Sequence, residues 1–174
     1  MGVLKDLTKE YFGEKVRKED EINIEGLDVK IVPFTDNNGK YHKRGYKPKD
    51  LDNLKELLKR MIEVRGDEGD FNDIDTSEVE SMSFLFTNKK TFNGDISGWD
   101  VSKVKSMNSM FDNATSFNQP IGNWKFPNVW NMNSMFEDAT SFDQDISNWN
   151  IKDADVFNMF KNCPIKNKHK PKKK

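Results

Sequence analysis

Residues 99–111 read Trp99-Asp100-Val101-Ser102-Lys103-Val104-Lys105-Ser106-Met107-Asn108-Ser109-Met110-Phe111. The same frame returns 25 residues later as Trp124, Phe126, Val129, Met132 and Phe136, and it opens again at Trp149. Other positions share the period: Val79 with Val104, Met82 with Met107, Phe86 with Phe111, and Phe92, Phe117 and Phe142. Ile96, Ile121 and Ile146 align as well, and Ser81/Ser106 and Ala114/Ala139 hold small residues. Internal periods of roughly 20–50 residues mark arrays in which each unit stacks on the next. The first unit starts near Ile74, which takes the Trp place. The last is one residue shorter, because Met159-Phe160 follows Met135-Phe136 by 24. Cys163 then falls in the Ala114/Ala139 place, and Pro164 ends the pattern. About three and a half units result.

Equivalent inward positions of an array stack on themselves, whereas solvent positions are free to differ. The repeated Trp, Ile, Val, Met and Phe are therefore expected in the core. Glu78/Lys103/Asn128/Asp153 and Glu80/Lys105/Trp130 change charge and size and are expected outside. Phe126 aligns with Val101 and Ile151 and belongs with the core. The spacing suits a short strand with turns, and Ser106–Asn113 suits one short helix or 3₁₀ turn. Asn93, Asn118 and Asp143, one in each unit, are expected to satisfy backbone groups at a bend, since such side chains mimic a turn.

The rest of the composition follows this division. The chain has 174 residues, 28 Lys+Arg against 29 Asp+Glu, and a mean hydropathy of −0.87. Its neutrality is a cancellation: +2 over residues 1–66, −10 over 67–160 and +7 over 161–174. All four Trp and 11 of the 13 Phe lie in 67–160, which a disordered segment would not show. The single cysteine excludes an internal disulfide framework. No apolar run approaches the ~18 residues of a membrane span, and Asp6 and Glu10 interrupt the place of a secretory signal. A cytoplasmic location is expected on this basis.

On the N-terminal side, Leu51, Leu54, Leu58 and Met61 recur at helical spacing, with Pro48 before them and Gly66 after. This predicts an amphipathic helix over 49–65, laid as a cap over the first unit. Glu21–Glu25 and Asp28–Phe34 alternate polar and apolar residues, and Asn37-Asn38-Gly39 is a turn signal, so a hairpin is expected. Leu4, Leu7, Tyr11 and Phe12 suggest a short preceding helix. The organisation expected is an N-terminal extension over 1–47, a capping helix over 48–66, the array over 67–164 and a basic disordered tail over 165–174.

Residues 99–111, with Ser116-Phe117-Asn118-Gln119, resemble the BspA-like leucine-rich-repeat family of bacterial surface proteins, first described as a mycoplasma family of unknown function. The resemblance covers roughly 70–165, and Met159–Pro164 and the segment from Tyr46 also look like sequence flanking such arrays. It implies a binding role, no catalytic residues and no cofactor, with the cell surface as the alternative location. Together with the period it gives an α/β repeat protein, a short right-handed leucine-rich-repeat-like solenoid with an N-terminal helical cap.

The chemistry points the same way. His42 and His169 belong to no triad or metal spacing, and no enzyme is expected. Cys163, in a buried column, is expected to be inert. The acidic run Asp67, Glu68, Asp70, Asp73 and Asp75 lacks the ligand spacing of a calcium loop and reads as solvated. Trp130 is the sharpest residue, an aromatic in a solvent column and thus a binding candidate, with its ring lying on lysine stems as the alternative. With Lys105, Glu80, Lys103 and Asn128 it forms the expected binding face for a protein partner. The alternative is an intracellular structural or assembly component whose tail, through Lys170, Lys172, Lys173 and Lys174, docks on an acidic partner such as nucleic acid. No aromatic interleaves those lysines, so only salt-dependent phosphate contact is on offer.

Overall fold

The computed structural model describes residues 22–172. The helix suggested around Leu4–Phe12, and Lys173 and Lys174, lie outside the described residues. Strands β1 (Val29–Thr35) and β2 (Tyr41–Pro48) pair antiparallel, from Val29 opposite Pro48 to Thr35 opposite Tyr41. The register slips between Val32 and Phe34, at Pro33. Proline has no N–H to give a ladder, so a bulge is where a strand accepts it. Asp36 builds the turn: its Oδ1 accepts from the Asn38 and Lys40 amides at 2.9 Å, and Gly39 takes φ 82°.

Helix α1 (Leu51–Arg65) starts at Asp50, whose carboxylate accepts from the Asn53 amide at 3.0 Å, and stops at Gly66 with φ 77°. Leu54, Leu57, Leu58 and Met61 are buried at the predicted spacing. The polar side of α1 is tied to the chain around the hairpin. Asn53 accepts from the Asp28 amide, and Arg60 donates to the Asn23 and Glu25 carbonyls. At the other end Arg65 donates twice to Asp73, both at 2.7 Å.

From Asp67 to Ile165 the chain is turns, bends and isolated bridges. This corrects the expected fold. Among the described residues there is one α-helix and one two-stranded antiparallel sheet, and no strand or helix recurs with the 25-residue period. The leucine-rich-repeat-like solenoid of α/β units is therefore not formed, and α1 is a helix bonded to the hairpin, not the cap of such an array. The reason lies in two backbone positions. Phe84, Ser109, Ser134 and Asn158, and four residues on Asn88, Asn113, Asp138 and Asn162, all have φ between 51° and 61°. Two left-handed residues four apart in each unit interrupt any helix or strand there, and they break the helix expected over Ser106–Asn113.

The period is expressed instead in hydrogen bonds and rings. Met82, Phe84, Phe86 and Asn88 donate their amides to the Ser106, Asn108, Met110 and Asp112 carbonyls, each at 2.9 Å. The pattern repeats from Met107–Asn113 onto Asn131–Glu137, and from Met132–Asp138 onto Asp155–Lys161. Under this ladder Phe86, Phe111, Phe136 and Phe160 stack face to face with centroids 5.4, 5.4 and 5.9 Å apart. Phe92, Phe117 and Phe142 form a second row, and each lies about as close as rings can to its neighbour in the first, at 4.0–4.1 Å. Asn93, Asn118 and Asp143 do bond the bend: each accepts through Oδ1 from the amide of Asn118, Asp143 and Lys166 in turn, at 2.9–3.0 Å. The Trp99 and Trp149 indoles donate to the Phe71 and Ile121 carbonyls. The equivalent Trp124 Nε1 is buried with no hydrogen-bond partner.

The hairpin turn docks on this wall. The Asn37 amide donates to the Gly98 carbonyl at 2.8 Å, and Asn38 Nδ2 to Ser97 Oγ at 2.9 Å. A Cβ at Gly98 would lie 2.9 Å from Asp36 Oδ2 and 3.0 Å from Asn72 Oδ1. Glycine is thus demanded by the hairpin, where the later units carry Asn123 and Asn148. Phe111→Ala is expected to cost ~3–5 kcal/mol in urea unfolding. Gly98→Ala should cost ~1–3 kcal/mol by overpacking, and Phe84→Ala, half exposed, within ~0.5 kcal/mol of zero. Equal losses for Phe111 and Phe84 would contradict the ring assignment.

Candidate functional site

Val129 points inward, and the next residue, Trp130, points out with 59% of its surface exposed. Its backbone is fixed on both sides. The Trp130 amide donates to the Lys105 carbonyl at 3.0 Å, as Lys105 does to Glu80, and the Trp130 carbonyl accepts from Asp155 at 2.8 Å. Asp155 also supplies the carbonyl for the Met132 amide, so it does the work of two residues of the preceding unit. The one-residue shortening of the last unit falls here, because Asp155 takes both the Trp130 and the Asn131 places. The residue that follows Trp130 in its column is thus a short aspartate.

The other expected face residues gather around it as ion pairs. Lys105 Nζ reaches Glu80 at 2.6 Å, and Lys103 Nζ reaches Glu78 at 3.0 Å. Asn128 donates to the Ser102 carbonyl. Lys105 thus aims its ammonium at Glu80. Glu78, flanked by Lys103 and Lys47, is held below the ordinary carboxyl pKa by its hydrogen bond from Lys103 first. These pairs are exposed and hold the column in line more than they stabilise it.

Two exposed phenylalanines were missed. Phe157, 69% exposed, donates its amide to Asn133 Oδ1 and to Asp155 Oδ1, which sets it beside the residue that holds Trp130. Its column otherwise holds Ser83, Asn108 and Asn133, so an aromatic in a polar column marks it as it marks Trp130, once the one-residue shortening is placed. Phe84 sits at a left-handed position whose equivalents are Ser109, Ser134 and Asn158.

The remaining clusters are closed by partners within the chain. Asp73 is paired with Arg65, Asp75 with Lys47 and Asp70 with Lys40, and Asp67 accepts from Thr91. Among the described residues no group of three or more His, Cys, Asp or Glu side chains is placed to hold a metal ion. His42 Nε2 lies 2.8 Å from Asp36 Oδ2, with both side chains buried and the imidazole stacked on Phe34. Cys163 is half-buried, its Sγ 3.5 Å from the Phe142 carbonyl, and burial pushes the thiol pKa up.

The basic segment read as a disordered tail over 165–174 is built into the last unit as far as it is described. Ile165 is buried beyond Phe142, residues Asn167–His169 form a 3₁₀ turn, and the Ile146 amide donates to the His169 carbonyl at 3.0 Å. Asp143 gathers the segment, accepting from the Lys166 amide and ammonium and from His169 Nδ1. Lys166 is the first cause of its carboxyl lying far below the usual carboxylate range. Lys161 pairs with Glu137, and Lys170 Nζ lies 5.7 Å over the Phe160 ring. A lysine run beside a −10 segment is neutralised there, which composition alone does not reveal. Lys172 remains exposed.

Residues 52–172 match the family model described as Mycoplasma protein of unknown function, DUF285. The chain belongs to this family. No match is found among curated proteins, and none among solved structures. The family match takes in α1 from its second residue, the whole ring ladder and the docked basic segment, and leaves the hairpin outside it. No described helix is long and apolar enough to cross a membrane.

The ion pairing of the basic segment has a pH consequence. A carboxyl whose folded pKa is depressed stabilises the fold above its unfolded pKa, about 3.9 for Asp, and that gain is lost as pH falls below it. Asp143→Asn should therefore lower the melting temperature at pH 7 and flatten its decline between about pH 4 and 2. An unchanged profile, followed by calorimetry, would contradict the role given to Asp143.

Proposed function

We propose that this chain is a noncatalytic module that binds a protein partner through the face centred on Trp130. The observation that carries the reading is the exposed indole. Trp99, Trp124 and Trp149 are buried to 3% exposure or less, whereas Trp130 stands in a charged column on a backbone held from both sides. A rigidly presented aromatic loses little conformational freedom on binding, and Trp is enriched at interface hot spots. Lys105–Glu80 and Lys103–Glu78 supply a polar rim, with Asn128 beside them and Phe157 extending the apolar centre. The likeness of 99–111 to BspA-like surface proteins supports a bacterial binding protein of this kind.

The alternative, an assembly component docking its lysines on nucleic acid, has less support. Lys161, Lys166 and Lys170 are already engaged within the chain. Trp130→Ala is expected to abolish capture of the partner from the native host's lysate while moving the melting temperature by less than about 2 °C. Capture that survives the substitution, or a large loss of stability, would defeat this reading.

A further inference from the structure

The ladder that joins the units has an end. In each unit four amides at alternate positions donate to carbonyls of the next. The corresponding amides of the last unit are those of Val156, Asn158, Phe160 and Asn162. None of them has an acceptor among the described residues, although every equivalent amide before them does. A row of free donors pointing one way is a template for another backbone.

The same end carries a cavity of about 420 Å³ lined by Ile151, Val156, Met159, Phe160, Lys170 and Pro171. Three of the free amides belong to residues that line it, with Asn158 included. Phe160 is less buried than Phe136, on which it stacks at 5.9 Å. The ladder beneath shows what such a ring accepts, a parallel Phe about 5.4 Å away. The end keeps a basic surplus: Lys161 and Lys166 are paired with Glu137 and Asp143, and Lys152, Lys168, Lys170 and Lys172 stand against Asp153 and Asp155.

We propose that this open end is a docking site for an acidic peptide segment of a partner protein, which pairs its backbone carbonyls with these four amides and inserts a phenylalanine against Phe160. The segment must turn as the units do, so it carries Asn, Asp, Ser or Gly where left-handed backbone is needed. The lysines select acidic flanks and speed the encounter. A second copy of this chain docked tail to tail is disfavoured, because donors would face donors. The carbonyls that could answer them, on Ser81, Ser83, Leu85 and Thr87, lie at the far end, where Leu58 and Ile62 of α1 share a groove with Phe84 and Thr87. This site does not rest on the Trp130 face, although Phe157 of that face lies between two of the donors, Val156 and Asn158.

The test uses the full chain and a synthetic peptide with the sequence of residues 129–144, which carries Phe136, Glu137, Asp138 and Asp143. Calorimetry should show saturable binding that weakens with salt, with amide NMR shifts concentrated on Val156, Asn158, Phe160 and Asn162. Replacing Phe136 by Ala in the peptide, or Lys170→Glu in the protein, should each weaken binding about tenfold or more. Lys170 is on the surface, so its variant keeps the test sound if Phe160→Ala fails to fold. Equal binding of a scrambled peptide of the same charge would overturn the registered pairing in favour of charge alone. Absence of binding, binding with shifts elsewhere, or a change in sedimentation that shows self-association instead would overturn the site.

Discussion

Everything in residues 67–165 depends on the double row of stacked phenylalanines. Phe86, Phe111, Phe136 and Phe160 lie nearly parallel, and each of the first three is packed at 4.0–4.1 Å against Phe92, Phe117 or Phe142. Rings in offset contact contribute about 0.5–1.5 kcal/mol beyond the area they bury. They also keep step with the ladder, because offset rings with centroids 5.4–5.9 Å apart follow neighbouring segments at the ~4.8 Å spacing of backbone hydrogen bonding. The amide ladder from Met82 to Lys161 can therefore run without regular strands. A chain with few aliphatic residues gains its core this way, and its surface stays free to carry the −10 charge.

Turn chemistry is the second half of the same arrangement. The left-handed positions fall mainly on Asn, Asp and Ser, which tolerate that backbone, and Phe84 is the exception. The Asn93–Asn118–Asp143 row then satisfies amides that no strand partner serves. These polar rows replace the strand ladders of ordinary sheet proteins, as buried backbone groups must be paired by something.

The sequence carried much of this openly. The period, the buried columns, α1, the Asn row and the exposure of Trp130 could all be read from residue types and spacing. The secondary structure could not. Apolar columns are equally compatible with strands and with turns, and nothing in Ser106–Asn113 announces that Ser109 and Asn113 are left-handed. The basic segment was misread for a related reason. Its lysines describe a solvated run, but Ile165 continues the Phe column and Asp143 waits in the unit just before it. Charge composition reports on a segment alone, whereas its fate is set by what it meets. Gly98 and Asp36 are a similar case, since their contact spans 62 residues of sequence and is invisible to periodicity.

Native-state amide hydrogen exchange tests the ladder most directly. Slow exchange, near the global unfolding limit, is expected at Met107, Ser109, Phe111, Asn113, Met132, Ser134, Phe136 and Asp138. Exchange at Val156, Asn158, Phe160 and Asn162 should be faster by orders of magnitude. Comparable protection of the two sets, or rapid exchange throughout the first, would contradict the ladder.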